Sequence, residues 1–167
     1  MMGRSRLIAL GLLVVGLDQL TKYLIVSSLQ EGESRQVIGA VLRLSHIRNS
    51  GAAFGMLRGF TGLIALGALV GVVLFVAMVV KEPGLWTGLG ATLVAAGASG
   101  NLVDRLFRGP VGRGSVVDFV DFRYWPAFNV ADSAITIGAL LIIWAGLMDR
   151  RPTVHDPSSQ PESPRAG

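Results

Sequence analysis

The 167-residue sequence contains no cysteine, which removes disulfides, thiolate nucleophiles and cysteine-based metal sites from consideration. Charge is scarce too. Only 16% of residues are charged against 51% hydrophobic, and the mean hydropathy is +0.55, too apolar for an ordinary soluble domain. Histidine occurs only as His46 and His155, one in a loop and one in the tail, far from ligand spacing, so no metal and no other cofactor is expected. The formal charge of +4 does not point to nucleic acid. Its arginines are scattered between apolar blocks and build no continuous basic face, so anionic membrane lipid is the expected partner.

What is present is a set of long apolar blocks, which predicts a mainly α membrane protein. Residues 60–80, "FTGLIALGALVGVVLFVAMVV", contain no ionisable side chain and as a helix would be about 30 Å long, enough to cross a bilayer core. Residues 7–26 form a second block, which carries Asp18, Gln19, Thr21 and Lys22 in its outer half. It reads as a retained span, because secretory signal peptides have a shorter apolar core and a small-residue cleavage site. Residues 85–107 are rich in Gly, Ala and Ser, as suits a helix packed closely on others, and residues 130–148 make a fourth span.

Four spans place both termini on one side, with the short "KEPG" turn, and two loops, residues 27–59 and about 108–129, on the other. The first loop mixes alternating apolar and polar residues with a turn signal at "NSG", which predicts a small strand-containing platform. Residues 1–151 thus read as one integral membrane domain. Residues 152–167, rich in Pro and Ser with no apolar run, read as a disordered tail. Basic residues divide almost evenly between the two sides and do not decide orientation, although Arg4, Arg6, Lys81, Arg150 and Arg151 at span ends favour a cytoplasmic N-terminus mildly.

Several polar residues stand where a membrane should exclude them. An Asp or Lys near the middle of a span costs about 2.5–3.5 kcal/mol on insertion scales. Asp18 and Lys22 are four apart, on one helix face, where they can neutralise each other; the readings are a structural clasp between helices or part of a proton or ion path. Asn101, Asp104 and Arg105 make a polar stripe near one end of the third span, unless Asp104 and Arg105 are simply interfacial anchors. Asn129 and Asp132 have the spacing of a helix N-cap and its N3 residue. Asp118 lies between "VV" and "FV" and would bring a second carboxylate to the same face. Two such acids share a proton, the state needed for acid and base work on an amide. Asp121 rivals Asp118, but in "DFRYW" it reads equally as an exposed loop acid beside Arg123. The residues alone favour Asp118 only slightly.

Five short stretches, "DQLTK" at 18–22, "NSGAAFG" at 49–55, "GNLVDRL" at 100–106, "VVDF" at 116–119 and "FNVADS" at 128–133, resemble in order and content the lipoprotein signal peptidases, or signal peptidase II. The resemblance runs from Leu7 to Met148. It implies a four-helix aspartic protease of the bacterial inner membrane, with both termini cytoplasmic, a β-rich extracytoplasmic cradle, and function as a monomer. The implied catalytic pair is Asp118 and Asp132, with Asn49, Asn101, Arg105 and Asn129 lining the substrate site, and Asp18 and Lys22 in a mainly structural motif. The implied substrate is a prolipoprotein cut just before a cysteine that carries a diacylglyceryl thioether. One departure is the connection "FRGPVGRGS", a few residues longer than usual for that family.

Two other functions compete. "GASG" at 97–100 resembles the serine motif of rhomboid proteases, but no predicted span holds the histidine base that such chemistry needs; close helix packing explains it better. A Ser–Lys pair is poorly supported, since Lys22 already has an acid four residues before it. A small proton or ion carrier could use Asp18, Lys22, Asp104, Arg105 and Asp132 as a polar path, although the chain lacks the internal repeat common in transporters.

Overall fold

The computed structural model describes residues 3–51, 66, 69–73, 84–109 and 114–148. Three long helices are present among them: α1 (Arg4–Ser28), α2 (Leu85–Phe107) and α3 (Val130–Met148). They occupy the first, third and fourth predicted blocks. Residues 66 and 69–73, within the second block, are helical; the rest of that block, most of the "KEPG" turn, residues 110–113 of the long connection and the tail lie outside the described residues.

Polarity is inverted relative to a water-soluble bundle. On α1 the exposed side chains are Leu12, Leu13, Leu20 and Leu24 among others, whereas Asp18 and Lys22 have no exposure at all. On α3, Ile137, Leu140, Ile143 and Trp144 face outward. Such an arrangement suits a hydrocarbon solvent, where the outer surface should be apolar and charged groups must turn inward to find partners. α1 and α3 are long and apolar enough to cross a membrane, with mean hydropathies of 1.6 and 1.9.

α2 touches both α1 and α3, and up to Gly100 its buried residues are small: Gly88, Gly90, Ala91, Thr92, Ala95, Ala96, Gly97 and Gly100. The reason is close backbone approach. A methyl added at Gly90 would lie 2.6 Å from the carbonyl oxygen of Gly138 on α3, and one at Gly138 would strike the Gly90 carbonyl in return. With side chains absent on both sides, α2 and α3 gain van der Waals contact that lipid tails alone would not drive.

A four-stranded antiparallel sheet, β1 (Ser34–Ile38), β2 (Leu42–Asn49), β3 (Val116–Phe122) and β4 (Trp125–Phe128), follows chain order from edge to edge. The first loop was expected to contain strands; the second supplies two more. β3 is central, pairing Asn49 with Val116 and Ile47 with Asp118 across β2. Its Val117 and Phe119 pack on Ile25 and Leu29 at the end of α1. His46, expected in a loop, stands in β2 and is buried. Its Nδ1 lies 3.0 Å from the Leu29 carbonyl oxygen, tying sheet to helix. The sheet is therefore docked against the end of the bundle where the buried charges gather.

Gly90→Ala should lower the melting temperature in detergent, corresponding to about 1–3 kcal/mol of overpacking. Gly146→Ala, whose methyl would have nothing within 4 Å, should not. Equal melting temperatures for the two variants would contradict the proposed close approach of α2 and α3.

Candidate active site

The site is built around the start of α3. Asn129 precedes the helix, and its Oδ1 accepts the backbone N–H of Asp132 at 2.9 Å, while its own backbone N–H donates to Asp132 Oδ2 at 3.2 Å. This is the reciprocal cap that the spacing predicts. The cap fixes the orientation of the Asn129 amide, because an oxygen that accepts a backbone N–H leaves Nδ2 as the free end. Nδ2 then donates to Asp118 Oδ1 at 2.7 Å, with the Val117 carbonyl and Asn101 Oδ1 each at 3.3 Å. One fully buried asparagine thus holds both carboxyl groups.

β3 delivers Asp118. Its Oδ2 accepts from Asn49 Nδ2 at 2.9 Å, and Asn49 is oriented in turn because its Oδ1 accepts the Gly51 N–H at 3.0 Å. Asp118 is 3% exposed. Burial pushes its carboxyl up to about 6; the hydrogen bonds from Asn49 and Asn129 act against that rise, and the neighbouring Asp132 adds to it.

Asp121 behaves differently. It is not an exposed loop acid beside Arg123: it lies in β3, is buried, accepts from Ser45 Oγ at 2.8 Å and pairs with Arg43 at 2.9 Å. Arg123 instead lies over the Tyr124 ring, 5.4 Å from its centroid. Three residues apart on a strand, Asp118 and Asp121 point to opposite faces. Reading "VVDFVDF" as a strand would have separated them from sequence alone.

α2 closes the site from beneath. Asn101 Nδ2 donates to Asp132 Oδ1 at 2.9 Å. Arg105, 5% exposed, donates to the Asn101 carbonyl and to the Gly51 carbonyl, each at 3.1 Å, and its Nε has no partner among the described residues. Its guanidinium lies in the field of Asp132, Asp104 and Asp118. Asp104 departs from the anchor reading: it is wholly buried, 2.8 Å from Lys22 Nζ and 2.6 Å from Arg108 Nε. The helical stripe is therefore divided, with Asn101 and Arg105 at the two acids and Asp104 turned to α1.

Below them lies the pair expected from "DQLTK". Lys22 Nζ is 2.8 Å from Asp18 Oδ2 and 3.0 Å from Asn101 Oδ1. Asp18 Oδ1 accepts the N–H of Ala131 at 3.0 Å, and Gln19 donates to Asp18, Asp104 and the Gly100 carbonyl. Spacing revealed the pairing of Lys22 with Asp18. It could not reveal Asp104, which comes from another helix.

A family model described as "Signal peptidase (SPase) II" matches residues 10–148. The chain is 45% identical over 143 residues to a lipoprotein signal peptidase of Rhodococcus jostii, covering 83% of this chain and 71% of that protein. It is 42% identical over 141 residues to one of Mycobacterium leprae, covering 82% and 69%. Two solved structures, each titled as a bacterial membrane enzyme, resemble it with TM-scores of 0.82 and 0.77. Their identities are 34% and 36%; the first match covers 92% of this chain and 94% of the other, the second 87% and 95%.

The raised carboxyl of Asp118 has a consequence for stability. With a folded value of about 6 against an ordinary 3.8, the folded state binds the proton more tightly than the unfolded one. Wild type should therefore lose stability as pH rises from about 4 through about 6, by up to about 3 kcal/mol from this group. Asp118→Asn removes that titration. The melting temperature of the variant minus that of wild type should grow over this interval and level off above it. A difference independent of pH from 4 to 8 would show that Asp118 is not desolvated.

Proposed function

This chain belongs to the signal peptidase II family, and from that premise we propose that it is an aspartic endopeptidase that removes the signal peptide from diacylglyceryl-modified prolipoproteins, cleaving just before the lipidated cysteine. The observation that carries the aspartic assignment is the double grip of Asn129, whose side-chain amide and backbone N–H bind Asp118 and Asp132 together. Asp118 holds the shared proton, because it is the more deeply buried acid. Asp132, the less buried of the two, serves as the base.

In the proposed reaction, Asp132 takes a proton from water as the water oxygen attacks the scissile carbonyl carbon, while protonated Asp118 donates to the carbonyl oxygen. The resulting gem-diol collapses when Asp118 takes back a hydroxyl proton and Asp132 passes its proton to the leaving nitrogen. The peptide bond breaks, and the acids regain their starting states. Arg105, with an Nε still free to donate among the described residues, together with Asn49 and Asn101, holds the substrate backbone.

The proposed setting is a bacterial inner membrane, crossed four times, at about 7–26, 60–80, 85–107 and 130–148, with both termini cytoplasmic and the sheet on the extracytoplasmic side. A monomer suffices, since both acids come from one chain. Outward apolar side chains on α1 and α3 support contact with lipid, and a site at the membrane surface lets the signal helix and acyl chains remain in hydrocarbon. A carrier fits less well. The acids of α1, α2 and α3 gather at the sheet end, and residues 7–17, 85–100 and 133–148 contain no charged side chain, so among the described helices no charged path extends across.

Asp118→Asn and Asp132→Asn should each reduce cleavage of a lipidated prolipoprotein by at least about 10²-fold while melting as folded proteins, and wild type should leave the unlipidated precursor intact. Wild-type turnover by either folded variant would refute the assignment of the acids. Cleavage of both precursors at equal rates would refute the substrate reading.

A further inference from the structure

The ammonium of Lys22 has three N–H groups and three acceptors: Asp18 Oδ2 at 2.8 Å, Asp104 Oδ2 at 2.8 Å and Asn101 Oδ1 at 3.0 Å. A clasp joining α1 to α2 requires only the two carboxylates, which already outnumber the charge they neutralise. Arg108, 2.6 Å from Asp104 Oδ1, supplies the second cation. The third N–H is directed instead at an amide whose other end touches Asp132.

That amide has two possible orientations, and its surroundings select one. Asn101 Oδ1 faces Lys22 Nζ and Asn129 Nδ2, the latter at 3.3 Å, and neither group can accept a hydrogen bond in the states found here. Rotating the amide by half a turn would set its NH2 against two donors. Asn101 Nδ2 is thus kept toward Asp132 Oδ1 at 2.9 Å, where only a lone pair satisfies it. The second Asp132 oxygen already accepts the Asn129 N–H.

We propose that Lys22 is a positioning residue for the reaction: by holding the Asn101 oxygen it locks that amide as a donor to Asp132 and so keeps Asp132 as the proton-accepting member of the pair. The inference rests on the aspartic reading above. Without Lys22 only the longer contact from Asn129 Nδ2 opposes a turn of the amide, and a turned amide accepts a hydrogen bond from a protonated Asp132, which would leave two acids and no base. Among the described residues, Arg105 from α2 and Asp118 from β3 interact directly with Asp132, whereas Lys22 of α1, with its partners Asp18 and Asp104, reaches it through Asn101.

The test is the pH profile of kcat/KM for a lipidated prolipoprotein in detergent, whose acidic limb reports the base of the free enzyme. Two variants are needed. Lys22→Met combined with Asp18→Asn removes the cation with one anion, leaving Asp104 paired with Arg108; Asn101→Leu keeps the whole ion cluster and breaks only the link to Asp132. In both, the acidic limb should move to higher pH by about one unit, which is about a tenfold loss of kcat/KM on that limb beyond any loss at the optimum. A purely structural Lys22 would lower the melting temperature and the overall rate with the limb unmoved, and that result overturns the proposal. Should the double variant fail to fold, an unmoved limb in Asn101→Leu still overturns the proposal, because Lys22 reaches Asp132 only through that amide. Asp118→Asn and Asp132→Asn serve as controls in the same assay: if they are inactive and the limb is unmoved, only the role of Lys22 is wrong, whereas full activity in either removes the premise.

Discussion

A lysine ammonium with no solvent exposure must be surrounded by acceptors, and the rest of this structure is arranged around meeting that requirement for Lys22. Its two carboxylate partners do more than neutralise it. Asp18 uses its other oxygen to accept the N–H of Ala131 in the first turn of α3. Asp104 accepts the N–H of Val117, the residue before Asp118, at 3.3 Å. A single buried ion cluster therefore joins α1, α2, the start of α3 and the strand that carries Asp118. Removing one partner from such a cluster leaves an uncompensated buried charge, at a cost of about 3–5 kcal/mol.

The cost of gathering charge in this way is acceptable only because the surface faces lipid. In hydrocarbon, an outward leucine loses nothing and an outward aspartate loses a great deal, so charged residues collect at the interior end of the bundle, beside the sheet. The same solvent explains the small residues of α2. With little hydrophobic drive between helices, association depends on close packing and on polar contacts. Gly90 facing Gly138 supplies the first, and Lys22, Gln19 and Asn101 supply the second.

Precision at the two acids comes from asparagines rather than from the acids themselves. Asn49, Asn101 and Asn129 each have the amide oxygen committed to a donor, a backbone N–H for Asn49 and Asn129 and an ammonium for Asn101. Every amide nitrogen is thereby pointed at a carboxyl group. Four carboxyl oxygens receive four directed donors, three from these amides and one from the Asn129 backbone. Such a pair is held in position before any substrate arrives, as catalysis by positioned proton transfer requires.

Local features of the fold were legible in the sequence, because their causes are local. Apolar runs of sufficient length place the helices, the Asn129–Asp132 spacing defines the cap of α3, and the four-residue interval of Asp18 and Lys22 puts them on one helix face. The short motifs in their order identified the family. Tertiary structure alone decided that Asp104 completes the shell of Lys22, that Asp121 is bound to Arg43 and Ser45, and that the second loop supplies two strands of the sheet. Those outcomes depend on which groups meet after α2 docks on α1 and β3 pairs with β2. A buried charge takes whichever partner the packing brings within about 3 Å, and no spacing along one helix or strand encodes the arrival of another.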